Sequence, residues 1–188
     1  MAIMNQIPTD TFENLAKGAG MLAKTFTPSA PATLEPTNIL CATTGGVHIT
    51  CVPTMVDHAD GIDNAKTGLL EMQEVTMYEV GMEFTAVSVT TDMLKMAIGK
   101  STVEGTNNVL PKHGTLTAND VQDLWYIVPQ TDKKVFAACI KNAFSTGGLD
   151  FQSENDGNGQ LSVSLKGMYK TESQDVVPLE CYVITSEE

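Results

Sequence analysis

The sequence predicts a mainly β protein, an antiparallel β-sandwich or partly closed barrel with an N-terminal arm or helix and one short α-helix. Three observations predict it. Alternation with period two is sharpest over residues 78–86, where Tyr78, Val80, Met82, Phe84 and Ala86 share one face and Glu79, Gly81, Glu83 and Thr85 the other. From residue 39 onward, short apolar runs are bounded by glycine and proline. Asn155-Asp156-Gly157-Asn158-Gly159 tolerates the positive φ of a hairpin turn and joins one strand to the next.

The elements follow in order. Thr9 or Asp10 can cap a helix whose apolar positions Phe12, Leu15, Ala16, Ala19, Leu22 and Ala23 recur at threes and fours. Gly18 and Gly20 weaken it toward an arm that orders on contact. Residues 26–36 hold three prolines and read as an extended linker. Residues 1–36 are thus an arm and linker, and 37–188 a β domain. Thr44-Gly45-Gly46 turns into a strand over 47–52 that Pro53 stops. Residues 54–74 form a long acidic loop carrying Asp57, Asp60, Asp63, Glu71 and Glu74, long enough to be an interaction loop. After the 78–86 strand, Thr91 or Asp92 starts a short helix that Gly99 ends. Residues 100–120 read as polar loop. Strands follow at 124–128, ended by Pro129, and at 135–144, apolar enough to be covered on both faces. The hairpin pairs 149–153 with 161–169. A last strand, 176–184, sets Leu179, Cys181 and Val183 opposite Glu180 and Tyr182. The count is six or seven strands and two helices.

Composition narrows the function. The 188 residues suffice for one domain with a substantial core. No apolar run approaches the ~18 residues of a membrane span, and the N-terminus lacks a basic stretch followed by an apolar block. Twenty-three acidic residues oppose eleven basic ones, for a net charge of -12, and every basic residue is lysine. Arginine is the side chain that grips phosphate with paired hydrogen bonds. A chain without it, and with surplus negative charge, repels DNA and anionic membranes. That excludes a nucleic-acid-gripping module but allows a protein that stays near nucleic acid without adhering. Cys41, Cys51, Cys139 and Cys181 show no CxxC spacing and read as small hydrophobes or free thiols of a reducing compartment.

Catalytic signatures are sparse. His48 reads as a half-buried sheet residue, and a thiol–imidazole pair of Cys139 with His48 or His113 has no local mark of activation. No P-loop, GxGxxG, GxSxG or HExxH pattern occurs. Asp57, Asp60 and Asp63 offer oxygen ligands for Ca²⁺, but their spacing is not that of an EF-hand, and a solvated loop with Asx-turns is the simpler reading. No enzyme, cofactor or metal is expected.

Several segments, in one order, resemble the major tail (tail-tube) protein family of long-tailed bacteriophages. They are Gly18-Ala19-Gly20-Met21-Leu22-Ala23-Lys24-Thr25-Phe26 before the proline-rich stretch, and Ala42-Thr43-Thr44-Gly45-Gly46-Val47. Pro53-Thr54 and Asp60-Gly61-Ile62-Asp63-Asn64 follow, then Gln122-Asp123-Leu124-Trp125-Tyr126. Lys141-Asn142-Ala143-Phe144-Ser145-Thr146-Gly147-Gly148-Leu149 is next. The last are Gly159-Gln160-Leu161, Gly167-Met168-Tyr169, and Val177-Pro178-Leu179-Glu180-Cys181-Tyr182-Val183. The resemblance spans residues 18–184; the stretches 66–76 and 101–112 depart from it. It implies a structural virion protein, assembled in the bacterial host cytoplasm, whose sandwich-like subunits form rings, usually of six, that stack into a hollow tube. The implied partners are further copies of itself and the tape-measure, tail-tip and tail-terminator proteins, with DNA passing through unbound and no membrane involved.

Two expectations follow. The acidic strand face, Glu79 and Glu83, lines the tube. Two unit charges ~10 Å apart in water interact by only about 0.4 kcal/mol, so a repelling wall needs many copies in a ring. Asp57, Asp60 and Asp63, with the arm residues Phe12, Leu15, Leu22 and Phe26, make subunit contacts. The rival readings are an acidic sandwich module binding Ca²⁺ or glycan, and a tail-terminator or capsid-decoration subunit forming single rings.

Overall fold

The computed structural model describes residues 11, 15–30, 35–131, 134–153, 155 and 157–185. Eleven strands and one α-helix occur among them: β1 (Met21–Ala23), β2 (Ile39–Cys41), β3 (Thr43–Asp57), β4 (Gln73–Ala86), α1 (Thr91–Ile98), β5 (Ser101–Glu104), β6 (Asn108–Pro111), β7 (Gln122–Pro129), β8 (Lys134–Ser145), β9 (Asp150–Gln152), β10 (Gln160–Gly167) and β11 (Leu179–Thr185). Nine strands form one antiparallel sheet in the order β2-β1-β7-β8-β10-β4-β3, with β11 added to β8 and β9 to β10. The mainly β, antiparallel architecture predicted from the alternation is the one observed.

The sheet curls, and the chain itself shows how. β2 and β3 lie at opposite ends of the strand order yet are separated in sequence by Ala42 alone. The Val87 N–H donates to the Ala42 carbonyl at 3.0 Å, so the end of β4 reaches the same junction. β2 and β3 do not pair with each other, so the sheet wraps its core without closing into a barrel. Leu22 and Leu40 from one end meet Val80, Met82, Phe84, Leu161, Val163 and Leu165 from the other. On the opposite face of β7 and β8, Ala23, Trp125, Ile127, Ala137 and Cys139 form a second, smaller core covered by Phe26, Tyr182 and Ile184. Ala137–Ile140 are all buried because β8 is packed on both faces, as its apolar run predicts.

The helix α1 closes the main core. The Thr90 hydroxyl accepts from the Met93 N–H at 3.2 Å, Asp92 sits in the first turn, and Gly99 at φ 81° ends it. Met93, Met96 and Ala97 are buried beneath it. The Ser145 hydroxyl, the buried polar group at this contact, donates to the Ala97 carbonyl at 2.6 Å.

Several sequence expectations are corrected. The helix across 12–23 is absent from the described part: Met21–Ala23 is a strand paired to β2 and β7, so the sheet begins before residue 37. Gly18 and Gly20 take φ of 86° and 71°, which no helix allows. A Cβ on Gly20 would lie 2.5 Å from the Tyr126 ring, so close packing, not flexibility, explains that glycine. Pro53 does not stop β3. It pairs with Tyr78 on the last strand of the sheet, and the Tyr78 backbone groups point away from it, so proline forfeits no ladder bond. The long loop shrinks to 58–72, because β3 runs to Asp57 and β4 starts at Gln73. Residues 101–111 are not loop but a separate two-stranded hairpin, β5–β6, turned at Gly105. In β11 the phase is reversed: Tyr182 and Ile184 pack on the smaller core, whereas Cys181 and Val183 are exposed.

Candidate assembly surfaces

The feature that stands out is the outer half of β3–β4. β10 pairs with β4 only from Ala86 to Gly81. Beyond that point β3 and β4 continue as a two-stranded arm, paired from Val52↔Glu79 to Asp57↔Gln73. Its register places Val52, Val56 and Met77 on one face and Met55 and Val75 on the other, with a bulge at Thr54/Met55 between them. All five are exposed, Val52 at 56% and Met55 at 53%, and Leu70 near the tip is 83% exposed. A two-stranded ribbon is marginal alone in water. These exposed apolar side chains cluster on an otherwise acidic chain.

The tip is held by its own polar groups. One Asp57 carboxylate oxygen accepts from the Ala59 N–H at 2.9 Å and the other from the Gly68 N–H at 2.8 Å. Those bonds, the Gly68 one foremost, hold the Asp57 pKa below the usual carboxylate range. His58 Nε2 lies 2.6 Å from a Glu74 oxygen, bridging the base of the loop. Of the three predicted contact aspartates, Asp57 is therefore a loop brace, while Asp60 and Asp63 are exposed. The Asx-turn reading of this run matches the Asp57–Ala59 bond. No group of histidine, cysteine, aspartate or glutamate placed to hold a metal occurs among the described residues.

The polar face of the sheet carries the predicted acidic pair. Glu79 and Glu83 are exposed on β4, on the side opposite the core. Lys166 Nζ sits 3.3 Å from Glu79, the Ser164 hydroxyl donates to Glu83 at 3.4 Å, and His48 Nδ1 lies 3.9 Å from Glu83. His48 is exposed rather than half-buried, because its face of β3 has no covering layer. The Glu79 and Glu83 carboxylates and the Lys166 ammonium sum to one negative charge.

The predicted arm residues divide. Phe12 lies outside the described residues. Leu15 is exposed and its carbonyl accepts from the Thr131 N–H at 3.1 Å, while Ala16 bridges to Gln130. Leu22 is completely buried in the main core, and Phe26 packs edge-on against Trp125 with ring centroids 5.3 Å apart. These two are committed to the subunit's own fold. Lys141 caps the same aromatic cluster, 5.6 Å from the Trp125 ring, between Asp123 at 3.4 Å and Glu180 at 3.5 Å.

Cys139 is fully buried, and burial pushes its thiol up to about 12; Cys41 is pushed up to about 11 the same way. No cysteine is in a disulfide. Among the described residues no helix is long and apolar enough to cross a membrane. Sequence reasoning missed the apolar arm residues and Tyr169, whose hydroxyl reaches Tyr78 across the arm's base. The mixed apolar composition of 52–56 and 75–77 was the available signal for the first; nothing marked the second.

No family model and no curated protein matches the chain. Among solved structures, it is similar to a chain of the virion of a native gene transfer agent particle, with a TM-score of 0.43 and 11% identity over 81% of this chain and 92% of that one. It is similar also to a chain of the tail of an empty gene transfer agent particle refined with helical C6 symmetry, with a TM-score of 0.43 and 10% identity over the same shares.

Proposed function

We propose that this chain is a structural subunit of a phage tail, the repeating unit of stacked rings that form the hollow tail tube. It has no catalytic role. The observation that carries the reading is the β3–β4 arm, which exposes the apolar side chains Val52, Met55, Val56, Val75 and Met77 on its two faces. An arm contact between unlike surfaces is heterologous, and such contacts propagate into rings or open filaments. Burying a valine, leucine or methionine side chain contributes about 1.5–3 kcal/mol. Several such anchors are needed to offset the roughly 4–15 kcal/mol lost on association, and the arm supplies them. The order of motifs shared with tail-tube proteins supports the same reading.

In that assembly the polar face of β3, β4 and β10 lines the bore, with Glu79 and Glu83 toward the DNA. One excess negative charge per subunit is weak alone and continuous around a ring. Asp60 and Asp63 at the arm tip and the segment around Leu15 contact neighbouring copies. The tape-measure, tip and terminator proteins act at the bore and the ends, and the protein resides in the virion.

Negative-stain microscopy of the concentrated full chain tests this. Hollow tubes of uniform width are expected. Single rings that never lengthen would favour a terminator or decoration subunit, and a lone protomer at every concentration would overturn the proposal.

A further inference from the structure

We infer that Tyr169 is a latch that fixes the angle at which the β3–β4 arm leaves the body, through two hydrogen bonds from one side chain to the backbone N–H and C=O of one residue. The strand β10 leaves β4 after Lys166↔Gly81, while on its other edge it stays with β8 through Gly167↔Ala143, and the Met168 N–H donates to the Asn142 carbonyl. Continued, the register would place the backbone of Tyr169 opposite Tyr78. Its side chain turns back and fills that place. The phenol O–H donates to the Tyr78 carbonyl at 2.9 Å and its oxygen accepts from the Tyr78 N–H at 3.1 Å. A hydroxyl, being both donor and acceptor, thereby replaces one residue of a missing third strand.

The location makes this a hinge point. On the body side, Gly81 has no side chain to wedge the strands, and a Cβ there would meet the Thr50 hydroxyl at 2.8 Å. On the arm side, the bulge at Thr54/Met55 interrupts the ladder. Between these points the phenol ties the arm to the segment that follows β10, and the Lys166–Glu79 ion pair, one residue closer to the body, ties it to β10. An exposed ion pair holds loosely, whereas two hydrogen bonds to the backbone of one residue fix direction. A pre-set arm loses less conformational freedom when it docks. That consequence rests on the assembly proposed above; the latch itself does not.

Amide exchange on the dispersed full chain decides it. Tyr169→Phe removes one oxygen and keeps the ring. We expect about tenfold faster exchange at arm amides beyond the junction, over 54–57 and 73–76, with the β7 and β8 amides unchanged. Lys166→Gln, which leaves the phenol in place, should give a smaller acceleration in the same segment. Arm exchange unmoved in both variants would overturn the latch, as would equal acceleration throughout the chain, which would make Tyr169 a general support of the fold. If the unmodified chain never polymerises, the functional proposal fails while this comparison still stands.

Discussion

The two halves of β4 make an informative contrast. From Val80 to Ala86 every second side chain is buried, between β3 and β10 and over the main core. From Gln73 to Tyr78 the same strand has one paired neighbour, a bulge and exposed Val75 and Met77. The inner half has what a fold needs; the outer half has, on the function proposed above, what an interface needs. The difference lies in which neighbours exist within one copy, not in how apolar the residues are. A strand can therefore be half buried in the core and half exposed with no change in backbone type.

Mutations can break or sharpen this contrast. In the body, Leu165→Ala should cost about 2–5 kcal/mol, read by urea unfolding, because a fully buried side chain leaves a cavity. Gly20→Ala should cost about 1–3 kcal/mol by the same measurement, since its Cβ would strike Tyr126 and its φ is positive. In the arm, Met55→Ser with Val75→Ser should change subunit stability by no more than about 0.5 kcal/mol yet abolish polymers in sedimentation. A large loss of subunit stability there would erase the distinction between the halves.

Acid offers a further probe of the body. Asp120 accepts from Lys100 at 2.7 Å and from the Thr117 hydroxyl and N–H, and Lys100 foremost lowers its pKa to about 2. A carboxyl whose folded pKa is depressed contributes stability above its unfolded pKa, and that contribution fades as pH falls toward the folded value. Thermal melts of Asp120→Asn should therefore lie below those of the unmodified chain at neutral pH. The gap should narrow below about pH 4 and close near pH 2. The smallest stability effect belongs to Glu79→Lys with Glu83→Lys on the open polar face. Its consequence should appear in binding: assembled variant should retain duplex DNA at low salt and release it at high salt, and the unmodified assembly should retain none. Equal behaviour of the two would remove Glu79 and Glu83 from the bore.

How much of this was legible in the sequence follows from the same contrast. The inner half of β4 reads directly, because burial on one face enforces strict alternation of Val80, Met82, Phe84 and Ala86. The outer half does not. The bulge shifts the phase, so Val75 and Met77 fall out of step and the segment resembles loop. Leu22 and Ala23 fell at helical spacing by coincidence, and the positive φ of Gly18 and Gly20 is what breaks that pattern in three dimensions. Tyr182 and Ile184 are covered rather than Cys181 and Val183 because β11 lies over a second core that single-strand periodicity cannot locate. The candidate surface was half legible. The acidic face and tip follow from charge, whereas the bracing role of Asp57 and the latch at Tyr169 depend on contacts 11 and 91 residues apart in sequence.

The central claim is that the arm is unfinished in one copy and completed by another. Amide exchange across 51–57 and 73–79, compared between dispersed subunits and polymer, tests it most directly. The account predicts strong new protection of the arm on assembly, with β7 and β8 unchanged; identical arm exchange in the two states would contradict it.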